Sequence, residues 1–400
     1  SKREGRACEM YGVILGSVTI GFVFSIVNML LIPLLKESFT PAVSGFIVSA
    51  GMLLAAAAGP LIGLWSDYIG KRLPFIGGLV VLSFSGTLLL IVNNSVASAF
   101  GGIILAFCAY SFLGPYSSLV ADRAGASGAN RGFGAVMGVV NVSGFAASLV
   151  INRLYDTGTD VTLFALSAGV LLPFIFPLLS APRREYFKRS GPVEKISLRS
   201  VVETISKPAL FFFFSMQFFA WFSIGGLFPF ITSFLSSEAS MSLSTAAAWF
   251  GASTLLSGVT SFFTAVTAKA FGEKRLLVVS ISVIASIGCL YSALYEKLIR
   301  GTDAGYAGVI VFLLFSLGLG FYYSLSSATL TKLVEPHEIG IAFGVNSIFM
   351  ILSQAVSVAI MGGLISIWGY RGMILVCTAG FILSALSAVR ITPPVTGAGL

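Results

Sequence analysis

The chain has few charged residues, and this shortage excludes most kinds of protein. Only 10% of its 400 residues are charged, whereas a soluble domain has about 25%. The hydrophobic share is 56%, and apolar runs of twenty or more residues recur along the whole length. About 20 such residues cross the hydrocarbon core of a bilayer. The composition therefore predicts a polytopic membrane protein and excludes an ordinary soluble domain.

Cysteine and histidine are also scarce, which removes the usual metal, redox and disulfide sites. The four cysteines do not have the spacing of a disulfide or metal framework. The one histidine, His337, lies in the polar stretch VEPHEIG, where a solvated loop residue is expected. The chain lacks the HExxH, GxSxG and P-loop motifs. We therefore expect neither an enzyme nor a protein with a metal or another cofactor.

Twelve apolar runs predict twelve membrane-spanning helices. They do not alternate with a period of two, as strands of a membrane barrel would. In lipid, a helix pairs all its backbone polar groups within one segment. The approximate bounds of the runs are 11–35, 43–65, 73–93, 98–121, 132–152, 161–181, 207–235, 244–268, 276–296, 305–331, 340–367 and 372–390.

The basic residues indicate how the spans cross the membrane. With twelve spans, 19 of the 24 Lys and Arg residues fall on the side of the two termini and the middle loop, and five fall on the other. Basic residues concentrate on the cytoplasmic side of membrane proteins. Both termini are therefore expected in the cytoplasm, with the protein in the plasma membrane. The net charge of +8 then reflects basic loops at a membrane surface, so no nucleic-acid partner is expected.

A single long polar stretch divides the chain into halves of six spans each. The predicted domains are an N-terminal bundle (1–181), a cytoplasmic linker (182–206) and a C-terminal bundle (207–400). The halves resemble each other, because GPYSSL at 114–119 matches GFYYSL at 320–325 with an offset of 206. Parallel repeats of this kind are typical of transporters with a binding site between two halves.

The sequence GLWSDYIGKRLPF at 63–75 crowds charge into a short turn between two apolar runs. Its Gly63-x-x-x-Asp67-x-x-Gly70-Lys71-Arg72 pattern resembles the signature loop between the second and third helices of the major facilitator superfamily. A partial repeat, AKAFGEKRL, follows the eighth run at 268–276. The resemblance implies an all-α polytopic membrane protein with twelve transmembrane helices in two pseudo-symmetric six-helix halves. It also implies transport by rocker-switch alternating access.

The same resemblance implies a gate at the cytoplasmic face. In the family, the acid at the position of Asp67 stabilises the closed gate by pairing with a basic residue and with a helix N-terminus of the other half, where partial positive charge accumulates. The start of the eleventh span near Gly340 is the matching helix end. A solvated loop residue is the alternative for Asp67, and Asp122 is a candidate for a coupling proton. The expected gating residues are Gly63, Asp67, Gly70, Lys71, Arg72, Asp122, Arg123 and Arg131.

A narrower resemblance is to the glycoside and sucrose symporter branch. The stretch Asp67 to Ile76 carries its Asp, basic pair and Pro-Phe-Ile, and residues 119–122 carry its Leu-x-Ala-Asp. The chain departs from that branch in two ways. The spacing from Asp67 to Gly70 is shorter, and Ser117 or Ser118 stands where the branch has an arginine. Sugar specificity and proton symport are therefore expectations from the branch alone.

The expected substrate site lies at the midplane, between the halves. No acidic or basic residue falls clearly at that depth, which favours a neutral or amphipathic substrate. Amides and aromatics are present instead, including Tyr110 and Tyr323, and this combination suits hydroxyl-rich ligands. Helix–helix hydrogen bonding is the alternative role for each of them. The candidate substrate-binding residues are Asn28, Tyr116, Asn141, Gln217, Trp221, Tyr322, Asn346 and Gln354.

Four of these candidates are preferred, namely Tyr116, Gln217, Trp221 and Tyr322, because they fall on the fourth, seventh and tenth spans. The leading function is a monomeric transporter of a small neutral solute, such as a sugar or a glycoside. An exporter of hydrophobic compounds would suit the 35 Phe residues, and a lipid translocator or scramblase would suit an apolar groove. The coupling ion, including a proton, and the direction of transport remain open.

Overall fold

The structure is a computed structural model that describes residues 2–69, 71–92, 94–180, 206–299, 304–334 and 339–391. These residues are helical almost throughout, and none of them forms a strand. Eleven helical stretches among them are long and apolar enough to cross a membrane. The last of these stretches, Gly344–Val389, contains 46 residues.

That last stretch comprises two spans. A straight helix of its length would be about 69 Å long, more than twice the thickness of the hydrocarbon core. Gly369 interrupts it with φ 67° and ψ −172°, a conformation that side chains with a Cβ rarely adopt. Counted in this way, the described residues hold twelve spans, and the predicted all-α membrane fold is confirmed.

The helices follow the predicted spans closely. In residues 2–180, called the first half, the α-helices are Lys2–Ser25, Ile32–Lys36, Pro41–Ile69, Leu73–Ile91, Ser95–Ser111, Leu113–Leu154, Thr159–Leu171 and Ile175–Ser180. In residues 206–391, called the second half, they are Pro208–Glu238, Leu243–Phe271, Glu273–Ala293, Tyr295–Ile299, Ala304–Leu333 and Ile339–Val389. The predicted linker 182–206 lies, apart from its last residue, outside the described part of the chain.

One predicted loop is absent. The chain is helical without a break from Leu113 to Leu154, where we expected a loop between the fourth and fifth spans. The segment 122–131 contains no proline, so none of its residues lacks a backbone N–H. The helix nevertheless bends sharply. Tyr116 donates a hydrogen bond to the carbonyl of Val13, and Ser17 contacts the carbonyl of Val136 at 3.5 Å, whereas a straight helix would separate 116 from 136 by about 30 Å.

The first span contains a further irregularity between its midpoint and its outer end. Between its two α-helical parts, Ile26–Leu31 forms a π-helical segment. Such segments are rare and frequently lie at functional sites. In this widened turn, the Nδ2 group of Asn28 donates a hydrogen bond to the backbone carbonyl of Phe24 at 2.9 Å. The apolar sequence IVNMLL gives no sign of this segment.

Helices within each half pack mainly on one another, and three helix pairs make the most extensive contacts between the halves. The second span packs on the eleventh, the fifth on the eighth, and the first on the seventh. Small residues permit this close approach. A Cβ built on Gly45 would lie 3.3 Å from the Cα of Gly362, and one built on Gly362 would lie 2.6 Å from the carbonyl of Pro41. The candidate site therefore lies along a seam between two separately packed helix groups.

The seam is tight at one membrane face, which we call the outer face and which carries residues 36–41, 155–159 and 238–243. There the Thr232 hydroxyl donates to the carbonyl of Met29 at 2.7 Å, and Lys36 Nζ donates to the Tyr370 hydroxyl at 3.1 Å. At the opposite, inner face, a Cβ built on Gly59, Gly134 or Gly344 would meet no described atom within 4 Å. The two halves are thus closed together at the outer face.

Candidate functional site

Gln217 is the centre of a polar cluster in the middle of the second half. Its side chain is 1% exposed, and its Nε2 donates to Asn346 Oδ1 at 3.0 Å. Its Oε1 accepts a hydrogen bond from the Tyr322 hydroxyl. Asn346 in turn directs Nδ2 at the Met350 sulfur, 3.2 Å away. One amide therefore links the seventh, tenth and eleventh spans.

The depth of this cluster follows from the helix bounds. Gln217 lies nine residues after Pro208, the start of its helix, and so about 14 Å along the axis at 1.5 Å per residue. The helix continues for 21 more residues to Glu238, so Gln217 lies within the hydrocarbon core of about 30 Å, on its inner side. Burying an unpaired amide there would be costly, which explains why its donor and acceptor are both bonded.

Trp221 lies one turn after Gln217 and adds an aromatic wall. Its ring stacks on Tyr323 with centroids 5.3 Å apart and an angle of 21° between the planes. It also lies 6.5 Å from the ring of Tyr322. The indole Nε1 is buried and has no hydrogen-bond partner among the described residues. Indole nitrogen is a donor only, and an unsatisfied buried donor costs about 1–3 kcal/mol.

The first half reaches this cluster through Tyr110. The Tyr110 hydroxyl donates to Gln354 Oε1 at 3.1 Å across the seam, and the ring packs edge-on against Phe24 with centroids 5.5 Å apart. Gln354 Nε2 bonds the carbonyl of Met350 at 3.2 Å. The residues that we call the central cluster are Tyr110, Gln217, Trp221, Tyr322, Tyr323, Asn346 and Gln354.

Three predicted binding residues lie apart from the central cluster. Tyr116 donates to the carbonyl of Val13, within the first half. Asn28 is bonded to its own helix, as described above. Asn141 packs against the eighth span, where its backbone carbonyl accepts from the Thr254 hydroxyl at 3.5 Å. The contacts of Tyr116 and Asn141 fasten helices together, which is the alternative role expected for such residues, and the contact of Asn28 stays within one helix.

Tyr110 was noted in the sequence but not among the candidate binding residues. Residues 114–119 repeat at 320–325, and this drew attention to Tyr116 and Tyr322 instead. Depth along the span would have favoured Tyr110. It lies before the turn at Phe112, whereas Tyr116 lies beyond that turn and nearer the inner face.

For most of the predicted gating residues, the structure describes the backbone but not the side chain. Of those that are described, Lys71 is exposed, and Arg72 Nη1 lies 3.5 Å from the Ser66 hydroxyl. The backbone N–H of Lys71 bonds the Ser66 carbonyl at 3.2 Å. Gly70 and His337 are not described, nor are the surroundings of Gly63 and the side chains of Asp67, Asp122, Arg123 and Arg131. The gate therefore stays a prediction.

The electrostatic character of the central cluster is simple, because none of its seven side chains carries a charge. Within the described ranges, no group of three or more His, Cys, Asp or Glu residues is arranged to hold a metal ion. A described ion pair, Lys332 with Glu273 at 2.7 Å, lies far from the cluster at the inner ends of the tenth and ninth spans. The cluster thus offers hydrogen bonds and ring faces but no charge.

Comparison with known proteins agrees with this architecture. The family profile of the Major Facilitator Superfamily matches residues 13–231 and again residues 213–399. No curated protein matches the chain. The two matched ranges together cover nearly the entire sequence.

Solved structures of three transporters superimpose over nearly their full length. A mutant of the nucleoside transporter NupG matches with a TM-score of 0.76, 15% identity, and coverage of 96% of this chain and 99% of that one. A bacterial homologue of the iron transporter ferroportin in its outward-facing state matches with a TM-score of 0.68 and 13% identity, and the match covers 97% of this chain and 99% of that one. A bacterial homologue of the human lysosomal transporter Spinster, inward-facing and unoccupied, matches with a TM-score of 0.68 and 15% identity, and the match covers 97% of this chain and 95% of that one. These likenesses show the fold.

Proposed function

The chain belongs to the major facilitator superfamily, and we propose that it moves a small neutral, hydroxyl-bearing solute such as a sugar or a glycoside by alternating access. The observation that carries this proposal is the charge-free central cluster with its unpaired indole N–H. Amide groups both donate and accept hydrogen bonds, and aromatic faces cover the apolar C–H surface of a sugar ring. A substrate hydroxyl or ring oxygen would accept from Trp221 and relieve its unsatisfied donor.

The charge-free cluster also argues against ionic cargo. A charged substrate at mid-depth would need a countercharge, since an unpaired ion in a bilayer is costly. The similar structure of a nucleoside transporter supports a ligand that combines hydroxyls with a ring. The cluster has no carboxylate or imidazole to carry a proton. Proton symport would therefore depend on Asp122 or another group outside the cluster, and a uniporter is the simpler mechanism.

The shape of the seam supports an inward-facing state of this transporter. The distribution of Lys and Arg supports a cytoplasmic position for the inner face and both termini. We propose a monomer in the plasma membrane. The outer contacts, such as Thr232 with Met29, would then close the extracellular entrance. Alternating access requires these contacts to break while the inner face closes.

For the inner gate we propose the role that the family loop implies. Asp67 would pair with Arg123 or Arg131, and with the helix end near Gly340, when the inner face closes. Replacing Asp67 by Asn should weaken this pairing and increase thiol labelling of cysteines placed in the inner cavity. Labelling at the same rate as in the unmodified protein would rule the latch out.

A hydrophobic exporter is the second candidate, and its cargo would have to bind in an apolar cavity of the second half. The cavity lies between the seventh, ninth, tenth and twelfth spans, and its wall includes Phe234, Phe315 and Phe381. Its volume is about 50 Å³. Pockets for drug-sized ligands measure about 300–1,000 Å³, so this space argues for packing rather than for a drug site.

Tracer counterflow in proteoliposomes tests the proposed function. The panel contains sugars, glycosides, nucleosides, organic acids and lipophilic drugs, and no driving ion is needed. Accumulation of labelled sugar, glycoside or nucleoside would support a neutral hydroxyl-bearing cargo, and a later pH step would reveal coupling to protons. A signal from acids or drugs alone would overturn the proposal. Lipid-reporter translocation without any solute flux would favour the lipid translocator instead.

A further inference from the structure

A polar cleft lies in the seam at the outer face, well away from the central cluster. Its volume is about 260 Å³, enough for several ordered waters or one sugar-sized solute. It reaches the surface at Ser237, which is exposed. We call it the outer cleft, and its lining residues are Pro33, Lys36, Tyr155, Ser233, Ser236, Ser237 and Leu243.

The chemistry of the outer cleft favours a neutral ligand with hydroxyl groups. Three serines and a tyrosine line it, and each hydroxyl donates and accepts. Lys36 supplies one cation, but its Nζ is already directed at the Tyr370 hydroxyl 3.1 Å away. The carboxylates of Glu37 and Asp156 interact with the Tyr155 hydroxyl beside the cleft. These two acids offset the ammonium, so an anion would gain little there.

Both halves build the outer cleft, and this gives it a mechanical consequence. Lys36 and Tyr155 belong to the first half, and the serines belong to the second. Neighbouring contacts close the same seam, including the Ser244 hydroxyl with Asp156 Oδ2 at 3.3 Å. When the outer face opens, the two walls must separate. A solute that touches both walls therefore binds only the closed form and shifts the population towards it.

We propose that the outer cleft is a second solute site, and that a neutral hydroxyl-bearing solute bound there holds the outer face closed. The proposal rests on the proposed function only for the class of solute. If the proposal holds, high concentrations of solute on the outer side should slow the transport cycle. The same concentrations on the inner side should have no such effect, because the outer cleft is sealed from that side in the closed form.

The test is protection of an engineered cysteine from a membrane-impermeant maleimide. Ser236→Cys places a thiol in the outer cleft, and Ser240→Cys places one on the exposed loop beside it as the matched control. Both are made after replacing the four native cysteines. Glucose, sucrose and uridine serve as probes. At a probe concentration ten times the Kd, labelling of Ser236→Cys should slow about tenfold, and labelling of Ser240→Cys should not change.

Two further variants separate this site from the central one. Adding Gln217→Ala should leave the protection intact, and adding Ser233→Ala should remove it by deleting a cleft hydroxyl. If protection persists while no probe shows counterflow, the proposal of a solute site in the outer cleft stands and the proposed function is overturned. The proposal of a solute site in the outer cleft is overturned by any of three results. No probe slows labelling of Ser236→Cys, both cysteines are protected equally, or Gln217→Ala abolishes the protection.

Discussion

The two halves of the molecule contribute very differently to the central cluster. In the second half, Gln217, Tyr322 and Asn346 are hydrogen-bonded to one another across three helices. In the first half, Asn28 and Tyr116 are each bonded to a backbone carbonyl. A weak repeat in sequence therefore does not imply a shared role. The positions in 114–119 and 320–325 repeat with an offset of 206, yet one tyrosine fastens helices and the other completes an amide network.

This difference suggests a division of labour. A linked network resists rearrangement, because moving one side chain leaves the others unsatisfied. The second half is thus suited to hold the substrate in a fixed geometry. The first half touches the network through Tyr110 alone among the described hydrogen bonds, so it can rock with little loss of bonding at the site.

The largest expected effect comes from Gln217→Ala. The change leaves the Tyr322 hydroxyl and the Asn346 carbonyl oxygen buried and without their partner, at about 1–3 kcal/mol each. Together these amount to about 2–6 kcal/mol, so we expect a loss in counterflow efficiency of at least about thirtyfold, since about 1.4 kcal/mol is tenfold. Thermal unfolding in detergent should also occur at a lower temperature.

The control for Gln217→Ala is Ser215→Ala on the same helix, where the hydroxyl bonds only the Phe211 carbonyl at 2.8 Å. That variant should transport normally. If the two variants lose transport equally, the network has no special role and the comparison between the halves fails.

Trp221→Phe should have the next largest effect, and it should change substrate binding without lowering thermal stability. Phe keeps a ring against Tyr323 but lacks the N–H, which has no hydrogen-bond partner among the residues that the structure describes. We therefore expect thermal stability to stay constant or to rise slightly. Binding should weaken about tenfold, the value of one hydrogen bond to a ligand at about 1.4 kcal/mol. Isothermal titration beside thermal unfolding measures both, and parallel losses would contradict the assignment.

The repeat-related tyrosines provide the most direct test of the comparison between the halves. Tyr322→Phe removes the donor to Gln217 and should weaken substrate affinity about fivefold, a cost of about 1 kcal/mol. Tyr116→Phe removes the bond to the Val13 carbonyl and should lower the free energy of unfolding by about 1 kcal/mol without changing affinity. Equal effects on affinity would mean that the site is symmetric after all.

Much of this fold follows from the sequence, because bilayer physics leaves few choices. Twenty apolar residues make a span, and the bias of Lys and Arg sets the parity of the spans. The break at Gly369 was also predictable, since the predicted spans 340–367 and 372–390 end and begin on either side of it. The continuous helix Leu113–Leu154 was not, because the segment 122–131 has no proline, and its Gly125, Ser127 and Gly128 suit a loop as well as a bend within a helix.

The candidate site was less predictable than the fold, for a physical reason. Which span a polar residue occupies can be read from hydropathy, but its rotation about the helix axis depends on packing against neighbours. Gln217 and Asn346 turn towards each other and Gln354 turns towards Tyr110, whereas Asn28 bonds its own helix and Asn141 packs on the eighth span. The π-helical segment Ile26–Leu31 adds to this uncertainty, because it shifts the faces of the first span that follow it.

The smallest expected effect concerns the cross-half hydrogen bond from Tyr110 to Gln354. Tyr110→Phe keeps the packing against Phe24 and removes one bond, worth about 1 kcal/mol. Because this bond joins the halves in the outer-closed state, its loss should shift the population towards the outer-open state about fivefold. Distance measurements between spin labels on the outer ends of the second and eleventh spans report this shift. An unchanged distance distribution, together with weaker substrate binding, would make Tyr110 part of the binding network and remove the difference between the two halves.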